Sequence, residues 1–91
     1  MVLGEIISIY RTKHGISMET FADYCKLSKG YISMLEKNEN PSSGKPIVPS
    51  LNTLKKIASG MSVDLNYLLA MLDENQKISI YDETGDMLPP L

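Results

Sequence analysis

Six consecutive residues, Lys29-Gly30-Tyr31-Ile32-Ser33-Met34, gather an amine, a phenol, a hydroxyl and a thioether around a residue with no side chain. These groups suit the edge of a flat, hydrogen-bonding partner. A lysine amine donates to guanine O6 and N7, a serine hydroxyl pairs with several base edges, and a thioether or tyrosine ring touches a thymine methyl. Gly30 adds nothing of its own and so allows a partner to approach the backbone closely. Other chemistries lack their parts. The chain holds one histidine, His14, and one cysteine, Cys25, which do not make a zinc site, and its scattered carboxylates do not make a calcium loop. No serine has a partnering histidine and acid at a recognisable spacing, and neither a Gly-rich loop after a strand nor a GxxxxGK[ST] run occurs. The expectation is a binding protein, not an enzyme, with no metal and no cofactor.

The elements that must position these residues follow from apolar spacing. Leu3, Ile6, Ile7 and Tyr10 fall on one helical stripe and Gly15 stands where a helix would stop, so the spacing predicts a first helix over about residues 2–13. Ser17 is a suitable N-cap, with Glu19 in the first turn and Phe21, Ala22 and Cys25 as the apolar stripe of a short second helix ending near Tyr24 or Cys25. Ser28 caps a third helix, residues 29–37, whose Ile32 and Leu35 face inward. Residues 38–49 hold three prolines and a glycine and read as a loop. Ser50 caps a fourth helix, carrying Leu51, Leu54, Ile57 and Ala58 and closed by Gly60. Asp64 caps a fifth, carrying Leu65, Leu68, Leu69 and Leu72.

This pattern predicts an all-α fold, a five-helix bundle over residues 1–73, followed by an irregular acidic tail or linker over 74–91 with a short extended piece at Lys77–Tyr81. Ninety-one residues suffice for one core and not for two. Cys25, on a helical apolar stripe, reads as a small buried hydrophobe, and His14, at a helix end, as a partner of the helix dipole or of solvent. No apolar run is long enough to span a bilayer and the opening residues lack a secretory pattern, so a cytoplasmic protein with no membrane partner is expected.

The formal net charge is −2, yet the charges are segregated. Residues 1–60 carry eight cations and five anions, and residues 61–91 carry one cation and six anions. This segregation either suits one side of the molecule to an anion and keeps another off it, or is simply solvated surface charge, which charge alone favours. Two short helices joined by a few residues must cross steeply, which leaves the second protruding. A rod about 10–12 Å across fits the roughly 12 Å major groove of B-form DNA. Lys55 and Lys56 on the fourth helix either contact a backbone or solvate their face, and Tyr31 either stacks on a base or covers the edge of the core.

The run from Ser17 to Asn38, SMETFADYCKLSKGYISMLEKN, followed by PSLNTLKKIA at Pro49–Ala58 and VDLNYLL at Val63–Leu69, resembles the phage-repressor family of helix-turn-helix domains, the Cro and lambda-repressor-like or Xre group. The resemblance covers roughly residues 4–72. It implies a bundle whose third helix reads operator DNA, in a protein that binds as a homodimer and represses transcription. The family's base-reading positions fall on Lys29, Gly30, Tyr31 and Ser33, with Met34 one step further, and its backbone-contacting positions on Met18, Lys37 and Asn38. Relatives often carry glutamine where Met18 stands and polar residues at the positions of Gly30 and Met34. The loop before the fourth helix is longer than the commonest form and brings Lys45 into reach of a phosphate. Arg11 and Glu36 occupy positions that pair in many relatives, where an arginine fork on a carboxylate would set the angle of the third helix. A second reading is a protein-interaction module, antitoxin-like or anti-repressor-binding, whose acidic tail with Ile78, Ile80, Tyr81, Met87 and Leu88 engages a basic protein partner.

Overall fold

A computed structural model of the chain describes residues 1–80. Five helices follow in order: α1 (Leu3–His14), α2 (Met18–Cys25), α3 (Lys29–Lys37), α4 (Leu51–Gly60) and α5 (Leu65–Met71). The fold is all-α, as the apolar spacing predicts. Helix α1 packs on α3, α2 packs on both α3 and α4, and α4 packs on α5. Leu3, Ile6, Ile7, Phe21, Ala22, Cys25, Ile32, Leu35, Leu54, Ile57, Ala58 and Leu68 form the buried centre. They are the inward stripes of all five helices, and burying each large aliphatic or aromatic side chain contributes about 1.5–3 kcal/mol.

Three helices begin as their caps require. Ser17 Oγ accepts the Thr20 N–H at 3.1 Å, Ser28 Oγ the Tyr31 N–H at 3.1 Å, and Ser50 Oγ the Thr53 N–H at 3.1 Å. Each bond satisfies one of the orphan donors of a first turn. The other two helices differ from the sequence reading. Helix α1 runs one residue later at each end than 2–13 and is capped from both sides: its own Glu5 Oε1 accepts the Val2 N–H at 3.1 Å, and Gln76 Oε1, from beyond α5, accepts the Leu3 N–H at 2.7 Å. Asp64 holds the N-cap position of α5, but its carboxylate accepts no bond from the helix.

Gly60 does not terminate α4 as a left-handed residue. It is the last helical position and is buried, and the left-handed turn falls two residues on, at Ser62 with φ 58°. The glycine serves packing instead: a Cβ there would collide with Cys25 Sγ and lie 3.1 Å from the Cys25 nitrogen. Gly4 does the same where α1 crosses α3, since a Cβ would collide with the Leu35 carbonyl oxygen. These two glycines let the helix axes approach.

Beyond α5 the chain stays on the bundle as far as it is described. The Asp73 N–H donates to the Met1 carbonyl at 3.1 Å, Gln76 caps α1, and Ser79 pairs in parallel with Ser50 through bonds of 2.9 Å from Leu51 N–H to Ser79 O and from Ser79 N–H to Pro49 O. This bridge is the extended piece expected near Lys77–Tyr81. Tyr81, Met87, Leu88 and the acidic residues Asp82, Glu83 and Asp86 lie outside the described residues. Among the described residues no helix is long and apolar enough to cross a membrane.

Candidate nucleic-acid interface

The turn between α2 and α3 is three residues, Lys26–Ser28. Lys26 adopts the left-handed conformation with φ 57°, and the following Leu27 N–H donates to the Ala22 carbonyl at 2.9 Å. The chain reverses with α2's last carbonyls satisfied, although the residue in the left-handed position is a lysine and not the usual glycine. Leu27 is half-buried against the core and anchors the turn from inside. The first turn of α3 begins at once, with its inner residues Ile32 and Leu35 buried and its outer ones turned outward.

Those outer positions carry the expected set unevenly. Lys29 and Gly30 are exposed, Ser33 and Met34 are half-exposed, and Tyr31 packs partly on the core. Tyr31 thus covers the edge of the core while its remaining surface stays open. Around Gly30 a Cβ would meet nothing within 4 Å. Among the described residues no contact requires glycine there, although it weakens a helix by about 0.5–1 kcal/mol relative to alanine. Ser33, Met34 and Lys37 line a shallow concavity of about 200 Å³ together with Glu39 and Pro41. These last two are absent from the sequence-derived set, because an acid and a proline after a helix read simply as loop.

The remaining candidates divide. Lys37 and Lys45 are exposed, and Asn38 closes α3 in the left-handed conformation with φ 53°, its N–H donating to the Leu35 carbonyl. Met18, the first residue of α2, is half-buried against the core. The loop bearing Lys45 folds on itself: Asn40 N–H donates to Lys45 O at 2.8 Å, Gly44 N–H to Asn40 O at 2.8 Å, and Ser42 N–H to Asn40 Oδ1 at 2.9 Å. A turn centred on Asn40, with Gly44 at φ 70°, therefore holds Lys45 in place. The described ion pairs join Arg11 to Glu36 and the Met1 amine to Asp73, so among the described residues Lys29, Lys37 and Lys45 are committed to no carboxylate. Lys55 and Lys56 sit apart, beside Tyr24 and Lys26 on the α2–α4 side.

Arg11 and Glu36 meet in a fork. Arg11 Nε donates to Glu36 Oε2 at 2.6 Å and Nη2 to Oε1 at 2.9 Å, while Nη1 donates to the Ile16 carbonyl at 3.1 Å. The pair is largely shielded, with 19% and 10% of the side-chain surfaces accessible. The carboxylate, by hydrogen bonding, raises the Arg11 pKa further above its ordinary value. One guanidinium thereby ties α1, the end of α3 and the chain entering α2. The Ile16 carbonyl has no sequence signal, since any residue could supply it.

A short helix set across another by a three-residue turn, with a solvent-facing first turn and uncommitted lysines around it, defines a helix-turn-helix domain. The helix-turn-helix family matches residues 7–68, and the chain belongs to that family. It is similar to the HTH-type transcriptional regulator SinR of Bacillus licheniformis, with 28% identity over 75 residues, 82% of this chain and 62% of that protein. It is also similar to the HTH-type transcriptional regulator SlrR of Bacillus subtilis (strain 168), with 31% identity over 67 residues, 74% of this chain and 40% of that protein. The chain thus spans less than two thirds of the length of either relative. No solved structure gives a significant match.

Proposed function

We propose that this chain is a DNA-binding transcriptional regulator of the cytoplasm that reads a two-fold-related operator as a homodimer, with α3 in the major groove, and represses. The observation that carries the reading is the open first turn of α3, where Lys29 is exposed and Gly30 leaves unfilled space beside the backbone. In this reading Lys29, Ser33 and Met34 meet base edges, with the free side of Tyr31 beside them. Lys37, Asn38 and Lys45 hold phosphates, and the half-buried Met18 leaves that task at α2 to backbone N–H groups of its first turn. The Arg11–Glu36 fork sets the tilt of α3 and so aims its tip. Family membership and the names of the two relatives support a regulatory role over a catalytic one.

Selection from random duplexes tests the proposal. The expected product is a palindromic consensus with half-sites about 34–36 Å apart. Lys29→Ala is expected to change the selected bases, whereas Lys37→Ala weakens all sequences alike. Recovery of no sequence above non-specific binding overturns the reading.

A further inference from the structure

On α1, Glu5, Ile9 and Lys13 recur at intervals of four and form one stripe along the helix. At 100° per residue this stripe lies on the opposite side of α1 from Gly4, Ile7 and Arg11, through which the helix meets the core and α3. All three residues are exposed, and Ile9, an isoleucine in the middle of the stripe, keeps 54% of its surface accessible. Beside the stripe runs an apolar groove of about 460 Å³ between α1 and α5, walled by Ile6, Tyr10, Val63, Met71 and Tyr67, the last of these 60% exposed. An aliphatic and an aromatic side chain stand here in solvent beside an unfilled apolar groove.

The order of charges along the stripe selects the occupant. Reading along α1, it is acidic, apolar, basic, so that a copy of itself turned through a two-fold axis at Ile9 presents basic, apolar, acidic. We infer that this face is the homodimer contact: α1 lies antiparallel to α1 of a second copy, Ile9 stands at the axis, Glu5 of each copy faces Lys13 of the other, and Tyr67 packs at the margin of the groove. An isologous contact requires this self-complementarity, in which residue i meets j and j meets i. Among the described residues Lys13 belongs to no ion pair, and Glu5 is bonded only to the Val2 N–H of its own helix end. The face lies away from α3, so a dimer formed through it leaves both recognition helices uncovered. The inference rests on the homodimer reading above but needs no statement about DNA.

Charge exchange on the full chain, followed by sedimentation without DNA, tests it. The wild type is expected to dimerise, Lys13→Glu to weaken dimerisation at least about tenfold by setting Glu5 against an acid, and Glu5→Lys to do the same with two cations. The double exchange E5K/K13E is expected to restore the dimer, and an equimolar mixture of the two single variants to form a heterodimer tighter than either homodimer. Ile9→Asp, at an exposed position, is expected to leave a folded monomer, with circular dichroism of each variant as the check on folding. A monomeric wild type, a dimer indifferent to I9D and K13E, or a mixture that forms no heterodimer overturns the inference. Duplex selection on the same preparations is read separately, so loss of DNA recognition with a charge-sensitive dimer, or the reverse, distinguishes the two proposals.

Discussion

Arg11 and Glu36, twenty-five residues apart, meet through two hydrogen bonds of 2.6 and 2.9 Å, and the same guanidinium reaches the Ile16 carbonyl at 3.1 Å. Two parallel bonds fix an angle as well as a distance, which one point charge would not. The helix that presents Lys29 and Gly30 is therefore held at its far end by a planar clamp. Its near end is held by the Ser28 cap and by the anchor of Leu27 in the core.

Removal of one half of this fork leaves the other shielded and short of partners. Arg11→Ala is expected to lower stability by about 1–3 kcal/mol. Arg11→Lys, which keeps the charge and loses the fork, is expected to fall in between. Denaturant unfolding measures the first effect. A fall in operator affinity larger in Arg11→Ala than in a surface variant of equal stability measures the tilt of α3.

At Gly30 stability and binding are expected to move in opposite directions. Alanine has room there, so Gly30→Ala should gain up to about 1 kcal/mol of stability from helix propensity. The added methyl stands where a duplex is proposed to approach, and affinity should fall. A rise in melting temperature with unchanged affinity would show that the space is not used.

Gly60 has the reverse character. Gly60→Ala drives a methyl into Cys25 and is expected to destabilise by about 1–3 kcal/mol through overpacking, despite the better helix propensity of alanine. Cys25→Ala removes the sulfur in the way, so the double variant should lose less than the two single losses combined. A double-mutant cycle by thermal unfolding measures that coupling.

Burial pushes the Cys25 thiol up from its ordinary 9.0 to about 11. Well below pH 9 the thiol is protonated in both folded and unfolded chains, and its share of stability is constant. Between pH 9 and about 11 the unfolded chain releases a proton that the fold retains, so stability is lost as pH rises through this window. The decline between pH 8.5 and about 10.5 should be steeper in the wild type than in Cys25→Ala, measured by urea unfolding at each pH.

Lys37 and Lys45 are proposed to neutralise phosphates. Each alanine substitution is expected to reduce the slope of log affinity against log salt by about 0.9 and to leave the selected consensus unchanged. An unaltered slope for Lys45→Ala would remove the loop from the interface.

Spacing along the chain was enough to reveal the five helices, the serine caps at positions 17, 28 and 50, and the inward Ile32 and Leu35 of α3 with Lys29 and Gly30 on its open side. Helical periodicity and capping are local properties, each readable within a few residues. The family resemblance named Arg11 and Glu36 as partners, but no local pattern contained their fork or the third bond to Ile16. Gly60 and Asp64 show the same boundary. A glycine after an apolar stripe and an aspartate before one carry local signals for a stop and a cap. What Gly60 does instead depends on Cys25 arriving against it, and Asp64 keeps the N-cap position without its carboxylate bonding the helix.

The order and faces of the helices, and the residue types at the tip of α3, were thus determined by sequence alone, because hydrophobic pattern and caps act over one or two turns. Only the tertiary structure decided where α1 touches α3 and α4 touches α2, how Gln76 reaches back to cap Leu3, and that Tyr31 leans on the core while Gly30 stands clear. Those relations join residues remote in the chain. They come from side chains filling a shared volume, which no spacing rule encodes.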